Sequence, residues 1–150
     1  MIDFTQNHFA LFGLAQTFTQ DVRDIEARYR VLVAECHPDR SAAGDEAAKR
    51  LALQASTQVN EAWQTLKNPL ARARYLLKLN GVDTQEETNT AMPIDFLMNQ
   101  MQWREAIEEA KTSQNLDRLE ELSRELRAEI HAFEDNLGAL IDTERNFPEA

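Results

Sequence analysis

The sequence predicts an all-α protein, and three observations carry that expectation. Gly and Pro number only four each in 150 residues, so turn-formers are scarce. No run alternates Val, Ile or Thr with polar residues, as a half-buried strand would. Apolar residues recur instead at spacings of three and four, which gives one stripe per helix. With 43% apolar residues, the chain is long enough for one ordinary domain or two small ones with a hydrophobic core.

The elements follow in order. FTQNHFALFGL (4–14) is a short apolar entry segment closed by Gly13. Asp21 then fits an N-cap, and Val22, Ile25, Tyr29, Leu32 and Cys36 form the stripe of the first clear helix. Arg23 and Arg30 line up seven residues apart on a neighbouring face, with the small Ala27 and Ala34 between them. Pro38 disfavours the α conformation in the residue before it, so this helix is expected to end near His37. The next helix runs from about Gly44 or Asp45 to Lys67, with Ala48, Leu51, Ala55, Val59, Ala62 and Leu66 as its stripe and Trp63 beside it. These two helices are expected to pack antiparallel, with CHPDR and SAAG at the exposed bend.

Asn68-Pro69 breaks the pattern, and the short helix LARARYLLKLN ends at Gly81, a suitable C′ residue. GVDTQEETNTAMP (81–93) is polar and without periodicity, and is read as a linker. A helix from about Pro93 to Lys111 follows, with Phe96, Trp103, Ile107 and Ala110 in one stripe. A second apolar set, Ile94, Leu97, Met98 and Met101, lies more than a quarter turn away, on the side of Glu105, Glu108 and Glu109. Leu116, Leu119, Leu122, Leu126, Ile130, Phe133, Leu137 and Leu140 then keep three/four spacing for about seven turns. TSQN is short, so the last two helices fold back as a hairpin.

Charge divides the chain. Residues 1–80 hold 10 Lys/Arg and 9 Asp/Glu, a net of +1, whereas residues 81–150 hold 6 and 17, a net of −11. The acidic half argues against a nucleic-acid partner, since the phosphate backbone is met mainly by Lys and Arg. No apolar run reaches the length of a membrane span and no charged-then-apolar leader opens the sequence, so a cytoplasmic protein is expected.

Three chemistries compete for CHPDR (36–40). A metal site fits poorly: His8, His37 and His131 come from three separate elements, and a single cysteine allows no paired-cysteine zinc cluster. A Cys36–His37 catalytic pair fits little better, because Cys36 falls on the apolar stripe, where a free cysteine behaves as a small hydrophobe. No phosphate-binding Gly loop or nucleophile elbow is present, so neither an active site nor a cofactor is expected. A turn read by another protein fits best: Pro38 limits the backbone, and Asp39 offers a carboxylate that a partner's arginine can grip. An ordinary helix-ending turn accounts for Pro38 and Asp39 but gives His37 no role.

His37-Pro38-Asp39, between a basic amphipathic helix and an alanine-rich one, resembles the signature of J-domains, the co-chaperones of DnaK-type ATPases. VNEAWQTLKNPLARARYLLKLNG (59–81) and FLMNQMQWREAIEE (96–109) resemble HscB, the J-protein of iron–sulfur cluster assembly, and the resemblance covers nearly the whole chain. It implies a J-domain over 1–80, a linker over 81–93 and a C-terminal scaffold-binding helical domain over 94–150. HscB delivers the scaffold protein IscU to the chaperone HscA and stimulates HscA's ATP hydrolysis. Carried over by motif, His37, Pro38 and Asp39 trigger the ATPase, with Arg28, Arg30 and Arg40 near the docking face. The scaffold patch maps to Leu97, Met98 and Met101, flanked by Glu105 and Glu109. No cofactor, membrane or nucleic acid is implied.

Three departures stand out. Cys36 occupies a position where J-domains commonly carry tyrosine, and Gln102 one that is acidic in well-known members. The sequence ends at ERNFPEA, where the family continues into a further helix that adds an aromatic to the patch, so the C-terminal domain is expected to be a shortened one. Two other readings remain at this point. Leu97, Met98 and Met101 could pack against a third helix or the J-domain. The chain could also be a general J-protein, although it lacks a Gly/Phe-rich segment, or a structural coiled-coil adaptor.

Overall fold

A computed structural model describes residues 3–37, 45–85 and 92–150. Among these the chain is all-α, with no strand. The helices are α1 (His8–Leu11), α2 (Val22–Cys36), α3 (Glu46–Lys67), α4 (Pro69–Leu79), α5 (Ile94–Thr112) and α6 (Leu116–Gly138), followed by a π-helical turn over Ala139–Thr143. No helix among the described residues is long and apolar enough to cross a membrane. Pro38, Asp39 and Arg40, and residues 86–91 of the expected linker, lie outside the described residues.

The chain divides into two compact units, one of Met1–Asp83 with Leu137–Ala150, the other of Thr84–Asn136. In the first, local signals set the helix ends. Asp21 accepts from the Arg23 N–H, Asp45 from the Ala48 N–H, and Asn68 from those of Leu70 and Ala71. Each thereby satisfies amides that a helix start leaves without partners. Pro69 sits in the first turn of α4, where its missing N–H costs nothing, so the break falls at Asn68 itself. Gly81 ends α4 at φ +80°, while the Val82 N–H donates to the Leu77 carbonyl and the Gly81 N–H to that of Lys78. This closure needs a left-handed residue, which glycine supplies without a Cβ clash.

The core of this unit gathers Phe9 and Phe12, Phe18, Ile25, Val59, Ala62, Leu66 and Leu76. Alanines 55 and 62 are buried on α3, so α2 can approach closely. Val22 and Leu51, expected in the two stripes, are instead exposed. Each lies at the edge of its stripe, where a helix turning about 100° per residue carries it off the packed face. Tyr29 and Trp63 stack nearly parallel, 4.7 Å apart, and the Tyr29 hydroxyl donates to Asn60 Oδ1 at 2.7 Å. A buried arginine that periodicity did not expose, Arg72, donates from Nη1 to the Leu66 carbonyl and lies over the Phe18 ring.

Residues 137–150, read as part of the C-terminal domain, cluster with the first unit. Ile141 is buried in its core, and Leu137 and Phe147 pack against it. The Asp142 carboxylate accepts from the Phe18 N–H at 2.6 Å and the Thr19 N–H at 2.9 Å. Leu137 and Leu140 keep the spacing of α6, so no break in the sequence pattern marks the change of neighbours.

The second unit is the expected hairpin of α5 and α6. Ser113 caps α5, Gln114 takes the left-handed conformation at φ +54°, and the Asn115 N–H closes onto the Ala110 carbonyl. Asn115 Oδ1 then accepts from the Arg118 N–H and starts α6. Across the seam, Glu129 accepts from Asn99 Nδ2 at 2.7 Å and from the Trp103 indole N–H at 2.9 Å. Phe96 meets Phe133 edge-on. Of the long α6 stripe only Leu122 is buried; Leu116, Leu126, Ile130 and Phe133 stay exposed, because one neighbouring helix cannot cover the whole stripe.

His8 couples the entry segment to pH. Its ring stacks on Tyr75 at 4.5 Å, its backbone N–H donates to the Tyr75 hydroxyl, and Nδ1 is buried. Burial lowers its pKa below the ordinary 6.5, a shift that Glu61 partly opposes. The folded state therefore binds this proton less readily than the unfolded chain. Its contribution to stability is complete above about pH 6.5 and declines as pH falls towards the lowered value. In His8→Phe, which keeps a ring on Tyr75, the thermal midpoint should lose less on acidification than in the unaltered chain. Identical pH profiles would remove His8 as the cause.

Candidate functional sites

On the first unit, the residues of interest collect along α2. Arg23, Arg30 and His37 are spaced by seven, so they form one column along the helix with steps of about 10 Å. All three are exposed, as are the small Ala27 and Ala34 between them. Arg30 has a side chain 74% exposed and pairs with Glu26 at 2.6 Å. A pair this open to water contributes little to stability and leaves the guanidinium available to a partner. His37 caps α2 with an extended backbone (φ −61°, ψ 132°), so the chain leaves the helix at this residue.

Arg28, expected near the docking face, is engaged within its own unit. It lies about 200° around α2 from Arg30. Its Nη1 donates to the carbonyls of Phe12 and Gly13, both at 3.0 Å, and its Nε donates to Asp24. Gly13 sits at φ +66°, a conformation that favours glycine, and a Cβ there would come within 2.9 Å of the Arg28 guanidinium and push it aside. Arg28 holds the entry segment onto α2. Arg28→Ala should lower stability to urea by about 1–2 kcal/mol, while Arg30→Ala should stay within about 0.5 kcal/mol. Equal stability of the two variants would return Arg28 to the surface.

Cys36 lies in the core of the first unit. It is buried, its carbonyl accepts from the Ser56 hydroxyl, and burial, aided by Glu35, raises its thiol pKa. A thiol held protonated in a core is a packing group. Among the described residues, no three His, Cys, Asp or Glu side chains converge as a metal site would require.

On the second unit, the second apolar face of α5 is open. Phe96, Asn99 and Trp103 face α6, and Ile94, Leu97, Met98 and Met101 lie on the opposite side of the helix, centred about half a turn away. Their exposures are 74%, 43%, 54% and 62%. Within the second unit, Leu97, Met98 and Met101 are therefore not covered by a further helix. Glu105, Glu108 and Glu109 are exposed on the same side, one to two turns further along. Gln102 sits apart from this ridge and lines a groove of about 230 Å³ between α5 and α6 with Trp103, Arg118, Leu122 and Glu125.

Two family models match separate parts of the chain. Residues 7–75 match the family model described as the DnaJ domain, and residues 92–150 match that described as the HSCB C-terminal oligomerisation domain. A co-chaperone protein HscB homolog from Chromobacterium violaceum is 53% identical over 139 residues, which are 93% of this chain and 78% of that protein. One from Paraburkholderia phymatum is 48% identical over 146 residues, 97% of this chain and 83% of that protein. Among solved structures, human co-chaperone protein HscB superposes with a TM-score of 0.87 at 31% identity, over 99% of this chain and 73% of that one. Chaperone HscB from Vibrio cholerae gives 0.84 at 31% identity, over 97% and 85%.

Proposed function

The chain belongs to the HscB family of J-domain co-chaperones, and on that premise we propose that it stimulates the ATPase of a DnaK/HscA-type chaperone and delivers an IscU-type iron–sulfur scaffold protein to it. The observation that carries the reading is the exposed face of Leu97, Met98 and Met101, turned away from α6 and followed by Glu105 and Glu109. An apolar ridge with an acidic end suits a folded partner that offers an apolar surface beside basic residues. Methionines let that ridge adapt to the partner's shape.

In this reading the first unit meets the chaperone through His37, Pro38 and Asp39, with Arg30 and Arg40 adding positive charge alongside. Arg28 is left out, since its guanidinium is engaged by the Phe12 and Gly13 carbonyls. A J-domain accelerates hydrolysis only if it binds the hydrolysis-competent arrangement of the chaperone more tightly than the resting one. A scaffold held on α5 of the same chain is thereby presented to the chaperone at high effective concentration. No bond is made or broken on this protein.

Steady-state ATP hydrolysis by an HscA-type chaperone tests both halves. The unaltered protein should stimulate alone, and more than additively with the scaffold. His37→Gln should abolish stimulation with the fold intact. Leu97→Ser with Met101→Ser should keep the basal stimulation and lose the synergy. Full stimulation by His37→Gln would refute the docking assignment, and surviving synergy in the double variant would refute the patch.

A second reading has one observation in its favour. The matched family model describes residues 92–150 as an oligomerisation domain, and Leu126, Ile130 and Phe133 are exposed along α6. A structural adaptor that pairs through α6 would appear as a dimer by native mass measurement, lost in Ile130→Lys. A monomer at all concentrations would exclude it.

A further inference from the structure

Ile94 is the first residue of α5, and at 74% it is the most exposed of the ridge's side chains. A β-branched residue there adds little to helix formation, and leaving its side chain in water forgoes the gain of burial. Neighbouring Pro93, the N-cap, supplies no side-chain hydrogen bond that would make this end a binding feature by itself. What distinguishes Ile94 is register. Ile94, Leu97, Met98 and Met101 stand at i, i+3, i+4 and i+7, all on the side of α5 opposite its contacts with α6. That is the spacing by which one face of a helix anchors along an apolar groove.

Resting on the scaffold-binding reading above, we propose that Ile94 is the leading anchor of the scaffold contact. In this arrangement α5 lies lengthwise in the partner's surface. The ridge from Ile94 to Met101 is about 10 Å long, and Glu105, Glu108 and Glu109 continue it by one to two turns. The scaffold should therefore present an apolar groove of that length, with Lys or Arg side chains beyond its far end. This polarity sets the direction in which α5 docks: Ile94 enters the uncharged end and the glutamates meet the basic one.

Calorimetric titration of the full chain with the purified scaffold protein tests the assignment. Alanine forms helix better than isoleucine, so a loss of affinity in Ile94→Ala cannot come from fraying of α5. Ile94→Ala should weaken Kd by roughly tenfold or more, and Ile94→Met by less than about threefold. Kd for the unaltered chain should rise with added salt, and less steeply in Glu105→Gln with Glu109→Gln. If Ile94→Ala binds within about twofold of the unaltered chain while Leu97→Ser with Met101→Ser loses binding, the anchor is wrong and the scaffold reading stands. If the Leu97/Met101 variant also binds normally, or the unaltered chain does not bind, both fail. Affinity indifferent to salt would overturn the basic end of the groove.

Discussion

Everything asked of the first unit depends on the rotational setting of α2 against α3. Ile25, Val59, Ala62 and Leu66 are fully excluded from solvent, and the alanines of α3 leave room for the backbones to approach. A rotation of α2 by one residue, about 100°, would drive Glu26 into the space of Ile25 and carry Arg30 and His37 off their present face. Such a rotation would carry the Glu26–Arg30 ion pair towards the core, and taking two charges out of water costs several kcal/mol. The stacked Tyr29 and Trp63, tied by the Tyr29–Asn60 hydrogen bond, fix the same angle from the surface. Arg28 fixes it from the other flank by holding the Phe12 and Gly13 carbonyls. The outward column of Arg23, Arg30 and His37 is what remains once those contacts are made.

The second unit applies the same logic with less apolar material. Ala110 and Leu122 are its buried apolar residues, so its hairpin relies more on a polar lock. Glu129 supplies that lock by accepting two N–H donors from α5, one on Asn99 and one on Trp103, four residues apart and therefore on one face. Hydrogen bonds to a charged acceptor are worth about 1.5–3 kcal/mol each, enough to favour one rotation of α5 over its neighbours. Fixing Asn99 and Trp103 inward obliges Leu97, Met98 and Met101 to face out. The exposure of the ridge is thus a consequence of the seam.

Much of this was legible in the sequence because it is set locally. Asp21, Asp45 and Asn68 act within three residues of themselves, and the stripes Ile25–Tyr29–Leu32–Cys36 and Ala55–Val59–Ala62–Leu66 follow from helical period alone. The two faces of α5 were legible for the same reason. What stayed hidden depends on contacts distant along the chain. Arg28 lies on a helix already rich in arginine, and nothing in its spacing shows that the Phe12 and Gly13 carbonyls, some fifteen residues earlier, will meet it. Gly13 with its tight turn was the nearest signal. Arg72 and Asp142 were equally invisible, since one lies over the Phe18 ring and the other answers the Phe18 and Thr19 amides. For Pro38, Asp39 and Arg40 the assignment rests on the sequence motif and family membership.

An exposed apolar ridge is ordinarily a liability, and its tolerance here has a physical basis. Four side chains on one helix face make a small patch, within what monomeric proteins carry singly at functional surfaces. The residues from 81 onward hold a net charge of −11, so two such ridges approaching one another would bring like charges together at Glu105, Glu108 and Glu109. The same glutamates that repel a second ridge attract a basic surface. In the proposed function, one set of charges would both keep ridges apart in the free state and select a basic partner. Methionine adds to this economy, because a flexible thioether exposed to water gives up less on binding a variable surface than a rigid aromatic would need in complementarity. Under the proposed function the acidic end of α5 belongs to the recognition surface, since it would decide which apolar surfaces the ridge meets.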